Sequence, residues 1–189
     1  MSAQGPQFQL TSSGGWVPAV MTGSGRPGSV EESPDRRSKG IAMRILYTAQ
    51  AMVQGGRAGY GRTSDGRLEV DLSIPQEMGG DGGPGTNPEQ LFAVGYAACF
   101  QSTLQGVARG RELNVSDSTI TAQVGIGPTG HGGFGLSVAL DLHAPRLMRG
   151  DAEDLMAAAH QRCPYSNATR GNVDVTLTVD GGRIERSVA

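Results

Sequence analysis

The sequence has little cysteine, few aromatic residues and no excess of either charge. Cys99 and Cys163 are the only cysteines in 189 residues. That is too few for a disulfide scaffold, and they read as reduced thiols or as a pair that cycles. Aromatic residues make up 5% and charged residues 18%, against 37% hydrophobic, the balance of a soluble globular chain. A net charge of −2 and a pI near 5.9 leave no basic surface for nucleic acid or anionic lipid. No apolar run approaches the roughly 18 residues that span a bilayer, so neither nucleic acid nor membrane is an expected partner. No basic segment followed by an apolar core stands near the start, which removes a secretory signal. The single Arg26 in the first thirty residues speaks against a transit peptide. A cytoplasmic location is the expectation.

Glycine is plentiful, at 30 residues, so turns should be frequent. Residues 1–42 form a Gly/Ser/Pro-rich extension: the first forty hold seven Gly, seven Ser and four Pro, with no acidic residue before Glu31. That composition predicts disorder or a start placed too early, with Met43 as the alternative start. Residues 43–189 are expected to form one domain. A strand is predicted over 45–53, a turn over 55–59, and strands over 60–63 and 68–72. A glycine loop over 79–85 leads to a helix expected to run to about Ala108 and to end at Gly110. Strands follow over 118–126 and 134–142, then a helix over 151–162 and a last strand over 173–179, with a frayed tail after Gly181. Pro164 forbids simple continuation of the second helix, leaving Cys163 at its end and a turn over 165–171. The order is that of an α+β fold.

The chain is organised around residues 86–100. Asn87 can cap a helix, Pro88 suits its first position, and Gln90 can close a capping box. From Leu91 to Phe100 there is no charge, so the helix has no solvent face and belongs in the middle of something. Gly95, Ala97 and Ala98 lack bulk and let another backbone come close. Cys99 falls in this dry setting.

Several short motifs lose to plainer readings. G-x-G-x-x-G matches at Gly80/Gly82/Gly85 and at Gly125/Gly127/Gly130. The first opens a helix, but no parallel strand with an acidic end follows, and Pro84 removes a backbone donor. The second is a hairpin loop. His160 and Cys163 could supply two metal ligands, whereas a structural zinc site wants four, so no metal is expected. His131, His143 and His160 read as surface or helix-end residues. Nothing resembles the local context of a serine or papain-type hydrolase. A lone cysteine on an apolar helix is most often inert packing. Against that, Cys163 closes the second helix, so both thiols lie on elements expected to pack together. Arg57, at a glycine-flanked turn, is ordinarily a solvated charge, but a turn can deliver it to a pocket.

The segments 46–49, 55–57, 82–93, 95–100 and 163–172 resemble the organic hydroperoxide resistance proteins, one branch of the family shared with osmotically inducible protein C. Gly55-Gly56-Arg57, Thr86-Asn87-Pro88-Glu89-Gln90, Ala97-Ala98-Cys99-Phe100 and Cys163-Pro164-Tyr165-Ser166-Asn167 carry the likeness. It covers about residues 43–180; the extension, the Thr129-Gly130-His131 loop and Gln101 depart from the pattern. The resemblance implies an intertwined homodimer with the long cysteine helix enclosed by mainly antiparallel sheets. It implies a thiol peroxidase that reduces organic hydroperoxides to alcohols with no bound cofactor. Cys99 matches the peroxidatic cysteine, Cys163 the resolving one, and Arg57 and Glu89 the activating pair. The implied reductant is a dihydrolipoyl group on a lipoylated protein.

The residue types suit that chemistry. A thiol with pKa near 8.5 is only a few per cent ionised at pH 7, and an apolar setting makes matters worse. A fixed cation is needed; Arg57 is permanently charged, and the Glu89 carboxylate can hold its fork. Phe92 and Phe134 are candidates for facing an alkyl or fatty-acid substrate. Glu89 and Cys99 stand ten residues apart, about 15 Å along one helix. That span predicts that Arg57 and Glu89 act on Cys99 of the partner subunit. The alternatives are a peroxide-sensing redox protein that forms the same disulfide without turnover, and a non-catalytic carrier of apolar ligands.

Overall fold

The computed structural model describes residues 43–184 and, by backbone alone, two short strands before them. These are β1 (Phe8–Leu10) and β2 (Trp16–Pro18), paired antiparallel. The disorder expected for the rest of 1–42 lies outside the described residues. The chain divides into two compact units, Met1–Ile45 and Leu46–Ala189, and the candidate functional residues all belong to the second.

The second unit begins with a three-stranded antiparallel sheet of β3 (Ala51–Gln54), β4 (Tyr60–Thr63) and β5 (Glu69–Asp71), in that order. The first strand is shorter than the sequence suggests. Residues 46–50 take no regular element and are exposed, as is β3 along its whole length. A single helical turn, Gly56–Ala58, joins β3 to β4. It is entered through Gly55 at φ 76° and Gly56 at φ 59°, a left-handed pair that residues with a Cβ rarely adopt.

The long helix α1 (Pro88–Gly110) starts where expected, with the Asn87 side chain accepting from the Gln90 N–H at 2.9 Å. Gln90 does not close a capping box; its side chain accepts from the Thr86 hydroxyl at 2.8 Å. The helix includes Gly110, and the left-handed residue beyond it is Glu112, at φ 57°. A four-stranded sheet follows, in the order β6 (Thr119–Pro128), β7 (Phe134–His143), β8 (Asp174–Val179) and β9 (Gly182–Arg183). Its β7–β8 pair is parallel and the others antiparallel. Parallel neighbours need a crossover, here built from α2 (Arg149–Arg162) and α3 (Pro164–Thr169).

Two expectations are corrected. The segment after Cys163 is a helix and not a turn, because proline, barred from a helix interior, fits its first position. The tail does not fray at Gly181, since Gly182 and Arg183 pair with β8. Alternation along β7 turns Val138, Leu140 and Leu142 inward, where they meet Tyr96, Phe100 and Leu104 of α1 and Leu155 and Met156 of α2. The enclosure expected for α1 is not met within one chain, however. Val94 is 71% exposed, and Ala98, one turn on, is exposed as well.

Candidate active site

Cys99 lies midway along α1, and Cys163 is the single non-helical residue between α2 and α3, at φ −65° and ψ 127°. Pro164 imposes that extended backbone on the residue before it. The packing of α1 against both helices brings the sulfurs together: the Cys163 thiol donates to Cys99 Sγ at 3.7 Å. Cys163 is fully buried and Cys99 partly so, and both are unbridged. Burial pushes the Cys99 thiol above its ordinary pKa. The Tyr165 backbone N–H, at the start of α3, donates to that sulfur and pulls the other way, while the neighbouring thiol adds to the rise.

Arg57 and Glu89 form a two-bond fork. Arg57 Nη2 donates to Glu89 Oε1 at 2.6 Å and Nη1 to Oε2 at 2.8 Å, with Met78 Sδ 3.9 Å from Nη1. The Arg57 hydrogen bond holds the Glu89 carboxyl below the usual carboxylate range, against the effect of its burial. The same bond raises the guanidinium pKa. Glu89 sits in the first turn of α1, where the helix dipole also favours an anion. Within the chain Glu89, which holds Arg57, stands ten residues before Cys99 on α1, about 15 Å along the helix. The structure thus assembles two pairs, thiol with thiol and guanidinium with carboxylate, at separate levels of one helix. Beside Glu89 opens a groove of about 400 Å³ whose walls include Met78, Ala93, Ala122, Val124 and Ile126.

Phe92 packs edge-on to Tyr96 at 5.8 Å and tilted against Tyr165 at 6.0 Å. Phe134 does not join these rings: it is 71% exposed at the turn end of the β6–β7 hairpin and lies outside the core cluster that holds Cys163 and packs against Cys99. His160 stands in the last turn of α2, as a helix-end reading expects, but is buried and not on the surface. Sequence reasoning missed Tyr96, Ser166 and Thr169, whose hydroxyls meet in the core. The signal was present, as Tyr96 precedes Cys99 by one turn and Ser166 and Thr169 share a face just after Cys163.

The glycines of the first G-x-G-x-x-G serve close packing. A Cβ on Gly80 would lie 2.1 Å from the Ile74 carbonyl oxygen, and one on Gly85 would lie 2.7 Å from Ser73 Oγ. Among the described residues no three His, Cys, Asp or Glu converge as metal ligands, and no helix is long and apolar enough to cross a membrane.

An α+β chain whose long helix carries a cysteine in contact with a second thiol is the class that fold and site define. The family model described as OsmC-like protein matches residues 79–178. The organic hydroperoxide resistance protein of Xanthomonas axonopodis pv. citri (strain 306) is 50% identical over 137 residues, covering 72% of this chain and 96% of that protein. Among solved structures, an organic hydroperoxide resistance protein from Legionella pneumophila matches at 50% identity with a TM-score of 0.69, covering 72% of this chain and 98% of that one. OhrB of Bacillus subtilis matches at 45% identity with a TM-score of 0.67, covering 72% and 100%. The chain belongs to the OsmC-like family, in its organic hydroperoxide resistance branch.

Proposed function

We propose that the protein is a cysteine-based peroxidase that reduces organic hydroperoxides to alcohols. The observation that carries this reading is the 3.7 Å contact between Cys99 on α1 and Cys163 at the junction of α2 and α3. The relatives' names, as organic hydroperoxide resistance proteins, supply the substrate class. The Cys99 thiolate attacks one peroxide oxygen, the O–O bond breaks, and the other oxygen leaves as the alcohol after taking a proton. Cys99 is then a sulfenic acid. The Cys163 sulfur displaces its hydroxyl as water, forming the Cys99–Cys163 disulfide. A dihydrolipoyl group on a lipoylated protein reduces the disulfide and is itself oxidised to a cyclic disulfide. The apolar walls of the groove beside Glu89 suit an alkyl or fatty-acid chain better than hydrogen peroxide.

The thiolate is the difficulty, because burial opposes it and Glu89, which holds Arg57, stands ten residues before Cys99 on α1, about 15 Å along the helix. A homodimer resolves this if Arg57 of the partner subunit, held by Glu89 of the partner subunit, meets Cys99. Two features favour such a dimer. The exposed Val94 and Ala98 interrupt a helix that has no charge between Leu91 and Phe100. The three-stranded sheet also leaves β3 uncovered, and so small a sheet needs a packing partner. The test treats reduced protein with one equivalent of tert-butyl hydroperoxide and measures mass. Loss of two hydrogens mapped to Cys99–Cys163, with trappable sulfenic acid on Cys99 in Cys163→Ser, is the expected result. Unchanged mass would overturn the reading, and absence of turnover with dihydrolipoamide would leave a sensor.

A further inference from the structure

Between α1 and α3 lies a trio of buried hydroxyls that the peroxidase chemistry leaves unused. The Tyr96 hydroxyl donates to Ser166 Oγ at 3.0 Å and lies 3.2 Å from Thr169 Oγ1. Thr169 also donates back to the Tyr165 carbonyl, at 3.0 Å. Tyr96 and Ser166 are fully buried and Thr169 nearly so. The Tyr96 ring is held between Phe92 and Tyr165, at 5.8 and 5.6 Å, so its hydroxyl points to a set place. A buried network with its members paired is rigid, and breaking one member strands the others.

The position of this trio matters more than its strength. Tyr96 and Cys99 are three residues apart on α1 and share a face. Ser166 and Thr169 lie on α3, which begins immediately after Cys163. A six-residue helix does not hold itself in place, and the extended backbone at Cys163 is a natural pivot. We infer that the Tyr96 hydroxyl is a positioning group for disulfide formation: by tying Ser166 and Thr169 to the catalytic helix, it keeps Cys163 against Cys99 once Cys99 is oxidised. This rests on the peroxidase reading above.

The consequence is kinetic. A sulfenic acid has two fates, condensation with a thiol or oxidation by a second peroxide to the sulfinic acid, which thiols do not reverse. The sulfurs must close from 3.7 Å to about 2.05 Å. The fraction of time α3 stays docked therefore sets which fate wins.

The test is Tyr96→Phe, which keeps the ring and deletes the hydroxyl, mixed in single turnover with tert-butyl hydroperoxide. Peroxide consumption should stay within about twofold of the parent, while disulfide formation slows about five- to tenfold, as expected for one lost hydrogen bond. With excess peroxide, Cys99 sulfinic acid should accumulate in the variant and not in the parent. Ser166→Ala should shift both readouts the same way, and serves alone should Tyr96→Phe fail to fold. Thr169→Val should do so too, with Thr169→Ser restoring the parent behaviour. Disulfide formation at the parent rate in these variants would overturn the inference. A parallel fall in both phases would overturn it as well, since that marks general loosening. A parent that forms no disulfide at all would instead sink the peroxidase reading.

Discussion

Arg57 and Glu89 are 32 residues apart, yet they meet as a fork with bonds of 2.6 and 2.8 Å. Two parallel charge-assisted bonds fix the plane of the guanidinium as well as its place. Glu89→Gln keeps the shape but removes the charge, and should slow peroxide consumption by at least about tenfold. The unfolding free energy should move by no more than about 1 kcal/mol, since Arg57 remains part-exposed. Stopped-flow consumption and urea titration read the two effects separately. His160 yields a prediction of another kind. Its Nδ1 is buried without a hydrogen-bond partner, and burial, reinforced by Arg170, lowers its pKa. The folded state therefore favours the neutral ring, while the unfolded chain takes up a proton near pH 6.5. Stability should fall as pH drops through that value and continue to fall until the folded pKa is passed. Urea midpoints measured between pH 7.5 and 5.5 should show this decline, and His160→Met should flatten it.

At the scale of elements, the start of α1 holds a helix cap and the carboxylate of the Arg57 pair in one turn. Asn87 satisfies the Gln90 N–H, and Glu89 lies inside the same turn. Asn87→Ala should cost about 1 kcal/mol in urea unfolding, the usual value of a lost cap. It should also slow peroxide consumption, because a frayed first turn no longer aims Glu89. Pro164 organises the other end of the site by separating α2 from α3 and leaving Cys163 extended between them.

For the whole molecule, the uncovered surface is the leading fact. Val94 is 71% exposed and β3 is exposed throughout, so a dimer that covers them would convert a loose sheet and a bare helix face into core. Val94→Glu places a charge on that face. It should yield a monomer by sedimentation velocity that keeps its far-UV circular dichroism and loses peroxidase activity. A fully active monomer would show that Arg57 and Glu89 act within one chain.

Sequence by itself determined what is local. The cap at Asn87, the helix through Cys99, the alternation of β7 and the break at Pro164 follow from backbone preference and hydrophobic period over a few residues. The family likeness named the two cysteines, Arg57 and Glu89 as candidates. Only the tertiary structure decided that sulfurs 64 positions apart touch, that Tyr96 reaches Ser166 and Thr169, and that one side of α1 stays bare. Periodicity tells which face of an element is apolar, but the neighbour that covers it depends on how every element packs at once.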